Sequence, residues 1–190
     1  MEDQPRITVV TPSYNQAQFL EHTMRSVLCQ GYSNLEYIVM DGGSSDGSAE
    51  IIKRHSARLA HWESAPDAGQ ADAIFRGFEK STGDILGWLN SDDIYLPGAL
   101  SAVAEFFACH PEAEVMVGAS YMINARHECI VDGRGIPVFN PGFNAAFEEL
   151  LLRGCSGFSQ LCVFWKRKAF FDVGGFDRNM QFSFDYDLFL

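Results

Sequence analysis

The sequence predicts an open α/β fold, a mostly parallel sheet with helices on both faces. Three observations carry that class. Short apolar runs alternate with stretches of helical periodicity through residues 7–117. Those runs are near-continuous in Val, Ile, Leu and Met, the pattern of strands buried on both sides. Polar clusters follow three of them, at the strand ends where such sheets bind ligands.

The elements follow in order. Ile7 to Val10 reads as a buried strand closed by Thr11-Pro12, and Leu20, Met24, Val27 and Leu28 share the face of a helix that Gly31 stops. Tyr37 to Met40 is a second buried strand, leading into the glycine/serine turn Asp41 to Gly47. Ser48, Ile51, Ile52, His55 and Leu59 share the next helical face, and a weaker strand covers Ala60 to Ser64. Ala71, Ile74, Phe75 and Phe78 mark a third helix, and Ile85 to Leu89 is the next buried strand. Pro97 sits where a helix starts, with Leu100, Val103, Ala104 and Phe107 inward; Val115 to Val117 is again a strand. Beyond residue 118 the rhythm breaks. Tyr121 to Val131 suggests a hairpin, Gly133 to Gly142 a loop, Phe147, Leu150 and Leu151 a short helix, and Leu161 to Trp165 a strand. No internal repeat or linker is evident, so residues 1–190 read as one domain whose second lobe is 119–190.

The 190-residue chain carries 14 Lys and Arg against 25 Asp and Glu, a net charge of −11, which argues against nucleic acid as its partner. A compact anionic ligand stays open, provided a metal or local cations offset the acidic field. Hydrophobic residues at 47% and charged residues at 21% exclude disordered and collagen-like classes. Five scattered cysteines with no C-x-x-C pair read as reduced, mostly buried thiols. The acidic start Met1 to Arg6 lacks a signal-peptide pattern, and no apolar run approaches the ~20 residues that span a bilayer, so a soluble cytoplasmic protein is expected.

Thr11 to Asn15, Asp41 to Asp46 and Asn90 to Asp93 are the polar strand ends. Asp41-Gly42-Gly43-Ser44-Ser45-Asp46-Gly47 matches neither a dinucleotide loop nor a P-loop, and as a calcium loop it lacks glycine at the sixth position. It reads either as a helix-capping turn or as a place where Asp41 accepts hydrogen bonds from a base or ribose. Asp92 and Asp93 are adjacent carboxylates that favour a cation beside them, with Mg²⁺ or Mn²⁺ the fitting ions; a helix N-cap pair is the plainer alternative. The five histidines show no metal-ligand spacing. Lys166-Arg167-Lys168 reads as a solvated turn or as a contact for an anionic acceptor or lipid headgroup.

Five runs, in order and spacing, resemble a family 2 glycosyltransferase with the GT-A fold. They are Val9-Val10-Thr11-Pro12-Ser13-Tyr14-Asn15 with Ser26 to Gln30; Tyr37 to Gly47; Pro66-Asp67-Ala68-Gly69-Gln70-Ala71-Asp72-Ala73; Gly83 to Asp93; and Gln160 to Trp165 with Val173 to Asp177 and Asp185-Tyr186-Asp187-Leu188. The resemblance implies a GT-A nucleotide-diphospho-sugar transferase with a nucleotide-sugar-binding half, 1–118, and an acceptor-side half, 119–190. It implies transfer of a sugar, with inversion, from a nucleotide-sugar donor to a hydroxyl of a glycan or glycolipid. Thr11, Pro12, Tyr14, Asp41 and Asp67 stand at nucleoside-binding positions. Asp93 stands at the metal position, Asp92 at the ribose or metal shell, and Asp185 at the catalytic base. The implied cofactor is Mg²⁺ or Mn²⁺, and the implied setting is surface polysaccharide or glycolipid synthesis in the cytoplasm, with peripheral contact at the inner membrane face. Three positions depart from the family pattern. Gly42 replaces an Asp that commonly reads uracil, leaving the donor base open; Asn90 replaces the upstream acid of the DxD-type motif; and Phe184 replaces a Glu before the base. A sugar nucleotidyltransferase and a non-catalytic nucleotide-sugar-binding domain are the rival classes. Relatives continue past the Asp-Tyr-Asp-Leu segment, so a truncated catalytic domain is expected.

Overall fold

The computed structural model describes residues 4–141, 159–180 and 182–189. Seven elements alternate first: β1 (Ile7–Ser13), α1 (Ala17–Leu28), β2 (Leu35–Asp41), α2 (Ser48–His55), β3 (His61–Ser64), α3 (Gln70–Lys80) and β4 (Ile85–Trp88). Then come α4 (Ala99–Cys109), β5 (Val115–Val117), β6 (Ser120–Tyr121), β7 (Phe139–Asn140), β8 (Val163–Lys166), α5 (Arg167–Asp172) and α6 (Phe184–Phe189). The main sheet has the order β3-β2-β1-β4-β8-β5; the first four strands are mutually parallel, and β8 runs antiparallel to both its neighbours. Strand order reverses at β1, with β2 on one side and β4 on the other, so the crevice beyond their carboxyl ends is the switch point.

Alternation along each strand sorts the core into two layers. Val9, Tyr37, Val39 and Ile85 face α1, α2 and α4, while Val10, Ile38, Met40, Leu86 and Trp88 face α3, α5 and α6. In the second layer the indoles of Trp88 and Trp165 stack at 5.0 Å, ringed by Phe78, Phe170, Phe176 and Phe184. Burying each such side chain contributes about 1.5–3 kcal/mol. Because Trp165, Phe176 and Phe184 come from the second lobe, that lobe shares the core of the first. Close packing of α3 on β1 depends on Gly77: a Cβ there would lie 2.6 and 2.9 Å from the two Val10 methyls. Gly77→Ala should therefore cost about 1–3 kcal/mol, read as a lower urea midpoint with an unchanged slope. A gain in stability would mean that α3 slides freely and that alanine's helix preference wins.

Several boundaries differ from expectation. β1 runs on through Pro12 to Ser13 because β4 pairs only as far as Val10, leaving Pro12 on a side where no partner needs its missing N–H. α4 starts after Pro97, once Gly98 has adopted φ 84°. Residues 120–140 form two hairpins closed by the pairing of β6 with β7, so the expected loop is a second hairpin. Met122 N–H donates to Val138 O (3.0 Å), Val138 N–H to Ile130 O (2.8 Å), and Ile130 N–H to Met122 O (2.8 Å). Asn124 and Asp132 each close a tight turn by accepting backbone N–H groups two and four residues on, an eight-residue recurrence. Lys166, Arg167 and Lys168 are not a free turn: they bond to the Pro111 carbonyl, Ser81 and Asp172 as β8 passes into α5. Cys29, Cys109 and Cys129 are exposed, against the expectation of buried thiols, while Cys162 is buried. The helix expected around Phe147, Leu150 and Leu151 lies outside the described residues.

Candidate active site

The ends of β1 and β2 are laced together. Gly42 N–H donates to Ser13 O (2.9 Å), Asn15 N–H to Ser44 Oγ (2.8 Å), and Ser45 N–H to Asn15 Oδ1 (2.9 Å), with Asn15 itself at φ 53°. Asp46 accepts Ala17 N–H (2.8 Å) with one oxygen and Ser48 N–H (3.0 Å) with the other, so a single carboxylate caps both α1 and α2. These bonds, that from the Ser48 hydroxyl first, hold Asp46 below the usual carboxylate range. Asp41 is 1% exposed, and its carboxylate accepts the Ser44 N–H (3.0 Å), the Ser44 hydroxyl and the Ser64 hydroxyl (2.6 Å).

The turn after β4 is held from below by a polar stripe on α1. Thr23 Oγ1 lies 2.8 Å from the carbonyls of both Ser91 and Asp93, Ser26 Oγ accepts Tyr95 N–H (3.1 Å), and Gln30 donates to Leu96 O (3.0 Å). Asn90 is a junction. Its carbonyl accepts from Gln70 (2.7 Å), and its amide donates to Asp93 Oδ2 (3.3 Å) and Gln160 Oε1 (3.4 Å); Gln160 in turn donates to the Trp88 carbonyl (3.3 Å). Thr23, Gln70 and Gln160 carried no role in the sequence reading. The one signal was a Thr on an otherwise apolar helix face.

These loops enclose a cleft of about 900 Å³ lined by Pro12, Tyr14, Gly42, Gly43, Pro66 to Gln70 and Asn90 to Asp92. Of the expected nucleoside residues, Pro12, Tyr14 and Asp67 line it, Tyr14 at the mouth and 65% exposed. Thr11 and Asp41 stand behind the wall, Thr11 with its hydroxyl 3.0 Å from that of Tyr37. Asp92 lines the cleft, whereas Asp93 faces an adjoining hollow of about 340 Å³ that Asp92 also borders. Gly42 makes room for Asp67, since a Cβ there would lie 3.0 Å from the Asp67 carboxylate.

The electrostatics are one-sided. Burial, then the charge of Asp92, pushes the Asp93 acid up to about 6 against a hydrogen bond from Asn90. Burial also raises Asp67, helped by Asp72 and Asp41 and opposed by Gly69 N–H. Among the described residues no Lys, Arg or His lines the cleft. No group of three or more His, Cys, Asp or Glu side chains suited to a metal occurs among the described residues. The Asp92–Asp93 pair still fits a hard divalent cation, which binds through one or two carboxylates and takes its other oxygens from phosphate and water.

Asp185 lies in the first turn of α6. Its neighbour Phe184 packs 6.0 Å from Trp88, the last residue of β4, which brings the start of α6 to the strand end that carries Asn90. From the same lobe Arg178 donates to Asp72 of α3 (2.9 Å), while Asp72 also accepts Ala68 N–H (3.3 Å), so the cleft wall at Pro66–Gly69 is braced across 106 residues of sequence.

The family model described as Glycosyl transferase family 2 matches residues 8–170. An uncharacterized glycosyltransferase of Nostoc sp. is 31% identical over 137 residues, covering 67% of this chain and 38% of its own. One from Rickettsia typhi is 24% identical over 196 residues, covering 97% and 57%. Among solved structures, Staphylococcus aureus TarS 1–349 superposes with a TM-score of 0.71 at 17% identity, covering 95% of this chain and 52% of that one. The mannosyltransferase PcManGT of Pyrobaculum calidifontis, in complex with GDP-Man and Mn²⁺, gives 0.63 at 23% identity, covering 94% and 49%. The fold is thus that of the GT-A enzymes, and the chain spans 38–57% of the length of these relatives.

Proposed function

Because the chain belongs to glycosyl transferase family 2, we propose that it moves a sugar, with inversion, from a nucleotide-sugar to a hydroxyl of a glycan or glycolipid. The observation that carries this reading is the cleft of about 900 Å³ at the switch point, of nucleotide-sugar size, with Asp67 and Asp92 in its wall and no cationic side chain among the described residues that line it. A diphosphate entering such a cleft needs a cation to offset the acidic wall. Asp92 and Asp93 would hold Mg²⁺ or Mn²⁺, which when bound supplies Lewis-acid stabilisation of the leaving diphosphate. Related folds have been captured with UDP-GlcNAc (TarS) and with GDP-Man and Mn²⁺ (PcManGT), in line with such a ligand.

The chain's own groups divide the remaining work. Tyr14 offers a ring face at the cleft mouth, and Asp67 an acceptor for a base N–H or ribose hydroxyl. Pro12 shapes the floor, while Thr11 and Asp41 fix the wall from behind. Asp185 takes the proton of the acceptor hydroxyl as it attacks the face opposite the leaving group. A single displacement needs one such base and no carboxylate nucleophile. We place the reaction in the cytoplasm, with peripheral contact at the inner membrane face where the acceptor is lipid-linked. No helix among the described residues is long and apolar enough to cross a membrane.

A melting-temperature screen of nucleotide-sugars with Mn²⁺ tests the reading. At pH 7.5 one donor should raise the melting point by about 5–10 °C at a hundredfold excess over Kd. A metal chelator should cancel the rise. Asp93 binds a proton below about 6 and a cation competes with that proton, so the shift should shrink from pH 7 to pH 5. No response to any donor at any pH would overturn the proposal.

A further inference from the structure

Beyond Asp93 lies a second hollow that shares no lining residue with the donor cleft. It holds about 420 Å³ between the loop entering α4, α4 itself and the hairpins after β5. Its walls are mainly hydrocarbon and aromatic, with Leu96, Val103, Met116, Ile123, Leu161 and Phe164 among them. Among the described residues no Lys or Arg lines it, and Asp93 is the only acid there. Tyr95 forms part of the wall and is 7% exposed, yet its hydroxyl finds no hydrogen-bond partner among the described residues; the Nε2 of His127, another wall residue, is likewise unpartnered among them. Leaving a buried hydroxyl unpaired costs about 1–3 kcal/mol, so native proteins seldom keep one without a use.

We propose that this hollow is a binding site for a neutral, largely hydrocarbon molecule with one hydrogen-bonding group, which the Tyr95 hydroxyl engages. The size follows from volume: an apolar cavity of about 150 Å³ accepts benzene, so this one accommodates about 17 non-hydrogen atoms. The charge follows from the lining. With no lysine or arginine among the described residues to meet it, a phosphate or carboxylate head is disfavoured, and apolar walls offer an ammonium group no hydration. The site stands independently of the donor reading, and its occupant would sit directly behind the Asp92–Asp93 pair.

The neutral fluorophore N-phenyl-1-naphthylamine, which has one N–H and about that size, serves as the probe. Titrated into the whole chain, it should give a saturable rise in fluorescence. Tyr95→Phe should weaken its binding about tenfold while leaving the unliganded melting point unchanged or higher, because it removes an unsatisfied hydroxyl. Ala102→Trp, at an exposed position on the rim, should block the hollow and abolish the signal. Absence of saturable binding would overturn the proposal. So would binding indifferent to both substitutions, which would place the dye on exposed apolar residues of the hairpins such as Met122 and Val131. Parent-like affinity in Tyr95→Phe would overturn the assigned recognition by the hydroxyl.

Discussion

Asp92→Asn should lower sugar transfer by about 10²–10³-fold and abolish Mn²⁺-dependent binding of a nucleoside diphosphate, without loss of stability. The side chain is exposed in the cleft wall, so asparagine keeps its volume while removing the charge that would meet a cation. Stability should hold or rise, because Asp92 repels the partly buried carboxylate of Asp93. With that repulsion gone, the Asp93 acid should move back from about 6 toward its ordinary range, visible by NMR titration. Calorimetry with nucleoside diphosphate and Mn²⁺ reads the main effect. An affinity equal to that of the parent would remove Asp92 from the cation site and leave Asp93 as the carboxylate to test.

The second large effect is expected at Asp185. Asp185→Asn should reduce turnover by about 10²–10⁴-fold in the presence of acceptor while preserving the donor-induced rise in melting temperature. The separation rests on position. Asp185 enters from α6, anchored through Phe184 on the Trp88 layer, and it is not among the residues lining the donor cleft. Asparagine accepts hydrogen bonds as aspartate does but cannot take the proton. Turnover at the parent rate would assign the base elsewhere; loss of the donor response together with activity would assign Asp185 to donor binding.

Much of the donor half could be read from local pattern. The faces of α1, α3 and α4 and the cores of β1, β2 and β4 follow from periods of 3.6 and 2, which each segment carries by itself. The polar strand ends could be read too, because a parallel sheet with both faces covered leaves its carboxyl edge as the open place. Which polar residue faces the cleft was not legible. Thr11 and Pro12, or Asp92 and Asp93, are neighbours in sequence, yet one of each pair lines the cleft and the other lies behind it. That choice is set by what each carboxylate or hydroxyl finds behind the wall once the sheet and its loops have packed.

Sequence alone thus determined the α/β class, the helix faces and three of the four loops that build the cleft, since local periodicity and turn chemistry need no distant partner. Only the tertiary structure decided that β8 enters antiparallel between β4 and β5, that Arg178 braces Asp72, and that Asn90 joins Gln70 to Gln160. The same holds for the paired hairpins between β6 and β7 and for the apolar hollow behind Asp93. These contacts join residues 20–106 apart or arise where several elements meet. Their stability comes from edges and polar groups that must be satisfied once the core has formed, and no stretch of sequence encodes that demand by itself.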